Sequence, residues 1–332
     1  MNYLKCFLKN PLQYVKNPGK TCATIFSVIK GSKKYQTYLL KEHKRIYGFR
    51  NKGKTFYVIC PYGSTQGLMS IHNYVLWKIR YAIKKGYIPV VDYKNYSNAY
   101  LESYLVGKVN AWEYYFCQPM QYRLEDIKHS RNVIICDKYL PAGYSGMEDE
   151  SEVLRFHEII NSYCKLNDKM EQKVKEATNI LFPKNKKILG VLGRGTDYTS
   201  LQPSKHAKVP DTELLVKTVE EKMEQWGSYD YIFLATEDRK IYDTLKLRFG
   251  DKLLAYDVPR FESDTKDKKL AELGFDREND RYLRGEEYLV TIYLLAQCDS
   301  IITPVVGGGL AAVRINGGKY THKFVFHLGE YT

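Results

Sequence analysis

Gly190-Val-Leu-Gly-Arg-Gly-Thr-Asp-Tyr198 closes an apolar run, Ile188 to Leu192, with one arginine and one aspartate separated by two small residues. The run predicts a buried strand. In open α/β sheets ligands bind beyond the carboxyl ends of the strands, where such a loop emerges. A guanidinium there can fork onto two phosphate oxygens. Gly193 and Gly195 flank it and let the backbone come close, with Thr196 leading to Asp197. An ordinary solvated Arg-Gly turn would be written with the same letters, so later segments have to decide.

Two of them do. Tyr231-Ile-Phe-Leu-Ala-Thr-Glu-Asp238 predicts a strand running into an acidic turn, followed by a helical pattern to Gly250. Glu237 and Asp238 there suit either contact with a nucleoside or capping of the following helix. Glu286 to Asp299 has the apolar spacing of a largely buried helix. A short strand, Ser300 to Thr303, comes next, and Gly307-Gly308-Gly309 opens another helix. Bare amides at a glycine-rich helix start favour an anion. On alternating strands and helices, these segments compose a phosphate-binding half-molecule.

The first half predicts a right-handed βαβ unit. Phe56 to Cys60 reads as a strand, Pro61-Tyr-Gly-Ser-Thr-Gln-Gly67 as a flexible loop containing Gly63, Gln66 and Gly67, and Leu68 to Lys85 as an amphipathic helix. Tyr87 to Asp92 is the next strand. A long helical stretch from Glu152 then runs to a break near Pro183-Lys-Asn-Lys-Lys187. The last strand is expected at Lys323 to Leu328.

The order strand–Arg194-x-x-Asp197, then Leu234-Ala-Thr-Glu-Asp238, then Gln297-Cys-Asp299 before a small-residue loop resembles the fucosyltransferase superfamily. That group includes bacterial α1,2-, core α1,6- and protein O-fucosyltransferases, which use GDP-fucose. Their first motif reads His-x-Arg-Arg with an Asp shortly after. The resemblance places Arg194 on the arginine that contacts the donor pyrophosphate and Asp197 on the acid, with Leu192 at the histidine and Gly195 at the second arginine. The family's small-residue loop falls near Val306 to Gly309, and an acid of the preceding helix falls on Thr291, with Glu287 one turn earlier as a substitute. Gly86-Tyr-Ile-Pro-Val-Val-Asp92 and Trp112-Glu-Tyr-Tyr-Phe116 are similar to first-half segments of the same group. The likeness covers about residues 55 to 328. It implies an α/β fold of GT-B type, two Rossmann-like domains facing across a cleft. The expected divisions are a basic arm at 1–54, an acceptor-side domain at 55–182 and a nucleotide-sugar domain at 183–332.

Residues 1 to 54 contain thirteen Lys or Arg and one acid, Glu42, and so hold +12 of the formal +13. The remainder carries thirty-eight basic and thirty-seven acidic groups. A segregated basic arm implies an anionic partner. Thirty tyrosines could stack on bases, yet no zinc-finger spacing, recognition helix or ribonucleoprotein motif is present, so no nucleic-acid partner is expected. An anionic membrane surface or a lipid-linked acceptor fits better. Tyr3 to Leu8 and Thr24 to Ile29 are apolar patches suited to interfacial helices. No run approaches the roughly 20 residues of a membrane span, and no secretory pattern opens the chain. Seven cysteines lack metal-ligand spacing and suit reduced thiols. The expectation is a cytoplasmic protein, peripheral on the inner membrane face.

What the resemblance implies chemically is an inverting transfer from GDP-fucose, as substrate rather than cofactor, to a hydroxyl of a surface polysaccharide or lipid-linked oligosaccharide. No Asp-x-Asp occurs, so no metal is expected and the leaving diphosphate falls to Arg194 and the amides of Gly307 to Gly309. Three groups compete as base: Asp197, His206 in Pro203-Ser-Lys-His-Ala-Lys-Val-Pro210, and Glu113 in the aromatic segment Asn110 to Pro119. That segment reads equally as interface packing. Two alternatives stand beside this: the same scaffold with another nucleotide sugar, and a non-catalytic glycan- or nucleotide-binding component of a polysaccharide assembly complex. No Gly-x-Gly-x-x-Gly follows the first strand, which argues against a dehydrogenase.

Overall fold

Two sheets, each changing direction once in its strand order, set the ligand-binding crevices of this chain. The computed structural model describes residues 38, 40–139, 146–264 and 268–332. The first sheet contains β1 (His43–Arg45), β2 (Arg50–Ile59), β3 (Ile88–Val91) and β4 (Ser130–Ile135) in the order β1-β4-β2-β3. β2, β3 and β4 are parallel, and β1 runs antiparallel along β4. The second contains β5 (Ile188–Leu192), β6 (Tyr231–Ala235), β7 (Leu253–Leu254), β8 (Ser300–Pro304) and β9 (His322–Phe326) in the order β7-β6-β5-β8-β9. All its pairings are parallel. The chain leaves β2 toward one side of the first sheet and returns to the other with β4. β5 and β8 divide the second sheet in the same way. Such switch points open the crevice in which doubly wound sheets hold ligands.

β5 and β8 are buried along their whole length, which is why they read as continuous apolar runs. Their alternate side chains serve two cores. Leu189 and Val191 meet α6 (Thr212–Trp226) and α7 (Arg239–Phe249), whereas Ile188 and Leu192 join the cluster containing α8 (Asp280–Leu295) and α9 (Gly307–Asn316). That larger cluster also takes in α1 (Leu68–Lys84), so the two sheets share one apolar core. Within it Arg314 of α9 is fully buried. Its Nη1 donates to Asn73 Oδ1 of α1 at 3.0 Å, and its guanidinium lies 3.7 Å from the Phe156 ring centroid. Burial lowers the Arg314 pKa to about 10.

Three expectations need correction. The helical stretch from Glu152 is two helices, α3 (Glu150–Tyr163) and α4 (Asp168–Leu181). It breaks because Asn167 caps α4, accepting from the Met170 amide at 2.9 Å, and because the Lys165 carbonyl accepts from the Cys117 amide. The segment expected as a basic arm to residue 54 enters the first sheet at His43, and β2 begins at Arg50 rather than Phe56. The patches Tyr3 to Leu8 and Thr24 to Ile29 lie outside the described residues. No helix among the described residues is long and apolar enough to cross a membrane.

Candidate active site

The loops leaving β2, β5, β6 and β8 converge on a cleft of about 770 Å³ between the sheets. At its floor Arg194 follows β5 with its side chain 16 % exposed. Nη1 donates to Glu237 Oε1 at 2.5 Å and Nη2 to Asp197 Oδ1 at 2.6 Å, and the guanidinium lies 4.8 Å from the Tyr198 ring centroid. Burial pulls against its charge, but Glu237 and Asp197 outweigh that and hold its pKa above the ordinary value.

The loop has a second layer of support. Thr196 is fully buried with φ +50° and ψ −120°, a positive-φ conformation that a β-branched residue adopts only when its surroundings hold it there. Asp238 does the holding. Its Oδ2 accepts from the Thr196 amide at 3.0 Å, and its Oδ1 accepts from the Ile241 amide at 3.0 Å, capping α7, and from Ser263 Oγ at 2.8 Å. A Cβ on Gly195 would come 2.2 Å from Asp238 Oδ2. An arginine at 195, where the resembling motif has its second one, does not fit this loop.

A second cation comes instead from α8. Arg284, Glu287, Tyr288 and Thr291, at helical spacing, all line the cleft. Arg284 Nε donates to Asp280 Oδ2 at 2.8 Å and Nη1 to the Leu270 carbonyl at 3.4 Å, while Nη2 has no acceptor among the described residues. Both Arg284 and Arg194 act on the Tyr100 hydroxyl, offsetting the upward push that burial gives its pKa. That hydroxyl accepts from the Leu68 amide at 2.7 Å, at the start of α1. Glu287 is fully occupied, because Arg277 forks onto its two oxygens at 2.6 and 2.8 Å.

The amino end of α9 completes the anionic side. Its cap residue, Val306, offers no side-chain hydrogen bond, so the first amides of this ten-residue helix have neither intrahelical nor side-chain acceptors. Gly307 and Gly308 line the cleft. Gly308 admits the Tyr288 phenol, which would stand 2.5 Å from a Cβ there. Two arginines, each ion-paired with neighbouring carboxylates, and an uncapped helix start therefore meet at one switch point, and the helix start favours an anion.

The chain is similar to solved fucosyltransferases. No family model matches it, and no curated protein does. Among solved structures, fucosyltransferase NodZ from Bradyrhizobium is 18% identical over 78% of this chain and 92% of its own, with a TM-score of 0.44. A mutant of Arabidopsis thaliana FUT1 in complex with GDP is 12% identical over 89% of this chain and 74% of its own, with a TM-score of 0.48. POFUT1 in complex with GDP is 9% identical over 83% of this chain and 100% of its own, at 0.43.

Of the residues singled out in the sequence, Arg194, Asp197, His206, Glu237, Glu287, Gln66, Gly67, Gly307 and Gly308 line the cleft. The rest do not. Gly193, Gly195, Thr196 and Asp238 form the scaffold under Arg194, Gly309 packs against Thr303, and Gly63 packs against Gln66. Glu113, expected to face the cleft, is turned aside in a short 3-10 turn, its Oε1 accepting from Gln118 Nε2 at 2.7 Å and Asn110 Nδ2 at 3.2 Å. Asp197 has both oxygens engaged, Oδ1 by Arg194 and Oδ2 by the Leu270 amide at 3.0 Å. His206 stands exposed at the rim with Nδ1 3.2 Å from the Tyr198 hydroxyl. Partial desolvation lowers its pKa below the ordinary value, and the Asp197 charge opposes this. Arg284 and a group containing Val258, Pro259, Phe261, Lys269, Leu270 and Phe275 were missed. The first carried a helical-face signal, and the second has no periodicity at all.

Proposed function

We propose that this chain is a glycosyltransferase that moves fucose from GDP-fucose to a hydroxyl of a glycan, a surface polysaccharide or a lipid-linked oligosaccharide. The observation that carries the reading is the convergence of Arg194, Arg284 and the uncapped α9 amides on one cleft. The motif order around Arg194 and Asp197 supports GDP-fucose as the donor.

In the reaction an acceptor hydroxyl attacks the anomeric carbon opposite the diphosphate. The carbon–oxygen bond to the diphosphate breaks, its electron pair leaves on the phosphate oxygen, and the configuration inverts. The hydroxyl proton passes to His206 Nε2, which has no partner among the described residues. Asp197, with both oxygens committed, acts as a positioning residue for Arg194. Glu237 and Asp197 share the Arg194 fork, so a diphosphate competes with them there. Arg284 and the helix start add the positive potential that decides that competition. These side chains and amides do the charge stabilisation that a metal performs in Asp-x-Asp transferases.

A different nucleotide sugar on the same scaffold is the second reading, favoured by the exclusion of an arginine at Gly195. Thermal unfolding with GDP, UDP, dTDP or CMP, in EDTA, separates the readings. GDP at 100 times its dissociation constant should stabilise the protein by about 2.7 kcal/mol. A shift with UDP or dTDP only replaces the donor, and no shift with any of them defeats the enzyme reading.

A further inference from the structure

The described part of the chain exposes thirteen large hydrophobic side chains, and five of them fall between Tyr38 and Phe49. Ile46, Tyr47 and Phe49, at 71, 50 and 79 % exposure, occupy the turn between β1 and β2. The turn is held in place by its backbone. The Tyr47 and Gly48 amides donate to the Ser130 carbonyl at 3.0 and 3.2 Å, and the Arg50 amide donates to the His129 carbonyl at 2.8 Å. A firmly held turn that displays three apolar side chains to water needs a covering surface.

The charge around it says which surface. Lys44, Arg45, Arg50, Lys52, Lys128 and Arg131 are all exposed on β1, β2 and the approach to β4. None makes an ion pair among the described residues. Apolar and aromatic groups inside a ring of unpaired cations match an anionic lipid interface, where rings sit at headgroup depth and lysines and arginines meet phosphates. The turn lies at the amino ends of β2 and β4, while the cleft opens at the carboxyl ends, so contact here leaves the cleft open.

We propose that the β1–β2 turn, Ile46 to Phe49, inserts into the headgroup region of an anionic phospholipid bilayer. This does not depend on the identity of the sugar donor. The full chain is tested by sedimentation with vesicles of phosphatidylcholine alone or mixed with phosphatidylglycerol. Binding is expected to the mixed vesicles, weakened by added salt. The double variant Ile46→Ser, Phe49→Ser should lose about tenfold in binding while keeping its melting temperature and its nucleotide response. In a second variant, Phe49→Trp, the added indole emission should shift to the blue when mixed vesicles are present. Binding by the double variant equal to that of the parent overturns the proposal, since charge in residues 1–37 would then suffice. So does an unmoved Phe49→Trp emission on bound vesicles. A parent chain that ignores vesicles but self-associates through this turn, with the double variant monomeric, overturns it as well and makes the face a contact between copies.

Discussion

The two walls of the cleft differ in kind. Every charged residue that lines it lies between Arg194 and Glu330, whereas the lining between Tyr62 and Tyr100 carries no charge. The uncharged wall offers Tyr62, Trp77 and Tyr100 with the amides of Gln66 and Asn73. A diphosphate demands fixed positive potential. A neutral polyol demands aromatic faces and groups that both donate and accept hydrogen bonds. Under the proposed function, the donor belongs against the second sheet and a neutral glycan against the first.

Breaking the charged wall should have the largest effect. Arg194→Ala is expected to lower transfer from GDP-fucose by roughly 100- to 1,000-fold. It also leaves Glu237 and Asp197 facing each other without a cation, which destabilises the loop. Arg194→Lys keeps a charge between them but cannot fork onto two oxygens. A melting temperature near that of the parent with transfer still lost in Arg194→Lys would locate the defect in chemistry. Near-normal turnover in both variants would remove the donor from this wall.

How far the sequence reached differs between the walls for the same physical reason. β5 and β8 are buried on both faces, so their runs are unbroken and the loops after them stand out. Arg194 and Asp197 are three residues apart on one such loop, and local spacing was enough to pair them. Arg284 shares a helix face with Glu287, Tyr288 and Thr291, but a charge on a helix reads by default as a solvated one. Only the docking of α8 beside α9 shows that this face looks into the cleft. Leu270, whose amide fixes Asp197 from 73 residues away, makes a contact that no local pattern announces. Glu113 failed differently. In the aromatic segment, which read equally as packing and as acceptor contact, Trp112, Tyr115 and Phe116 are buried, and its one acid faces Gln118.

The rim tests whether proton transfer belongs to the charged side. Replacing His206 by Gln should lower turnover about 100-fold. The sign of its pH dependence follows from its depressed pKa. Protonation removes the base, so kcat/KM in the parent falls toward acid, with a midpoint below the ordinary histidine value of about 6.5. That acidic limb should vanish from the profile of His206→Gln. A limb of unchanged position in the variant would return the role of base to another group and leave His206 a rim residue.

The smallest effect is expected on the uncharged wall, and it is the most discriminating. Tyr62 lies 4.8 Å from Tyr74, ring centre to ring centre, and its hydroxyl is 2.8 Å from Ser70 Oγ. If this wall receives a sugar ring, the aromatic face carries the contact and the hydroxyl is secondary. Tyr62→Ala should then raise the acceptor KM about tenfold, the size of one aromatic contact, with the GDP-induced thermal shift unaltered. Tyr62→Phe should keep most of the parent's acceptor KM. A loss of GDP response in Tyr62→Ala would show that the donor spans both walls, and the division of labour between them would have to be redrawn with the acceptor entering over the rim at His206.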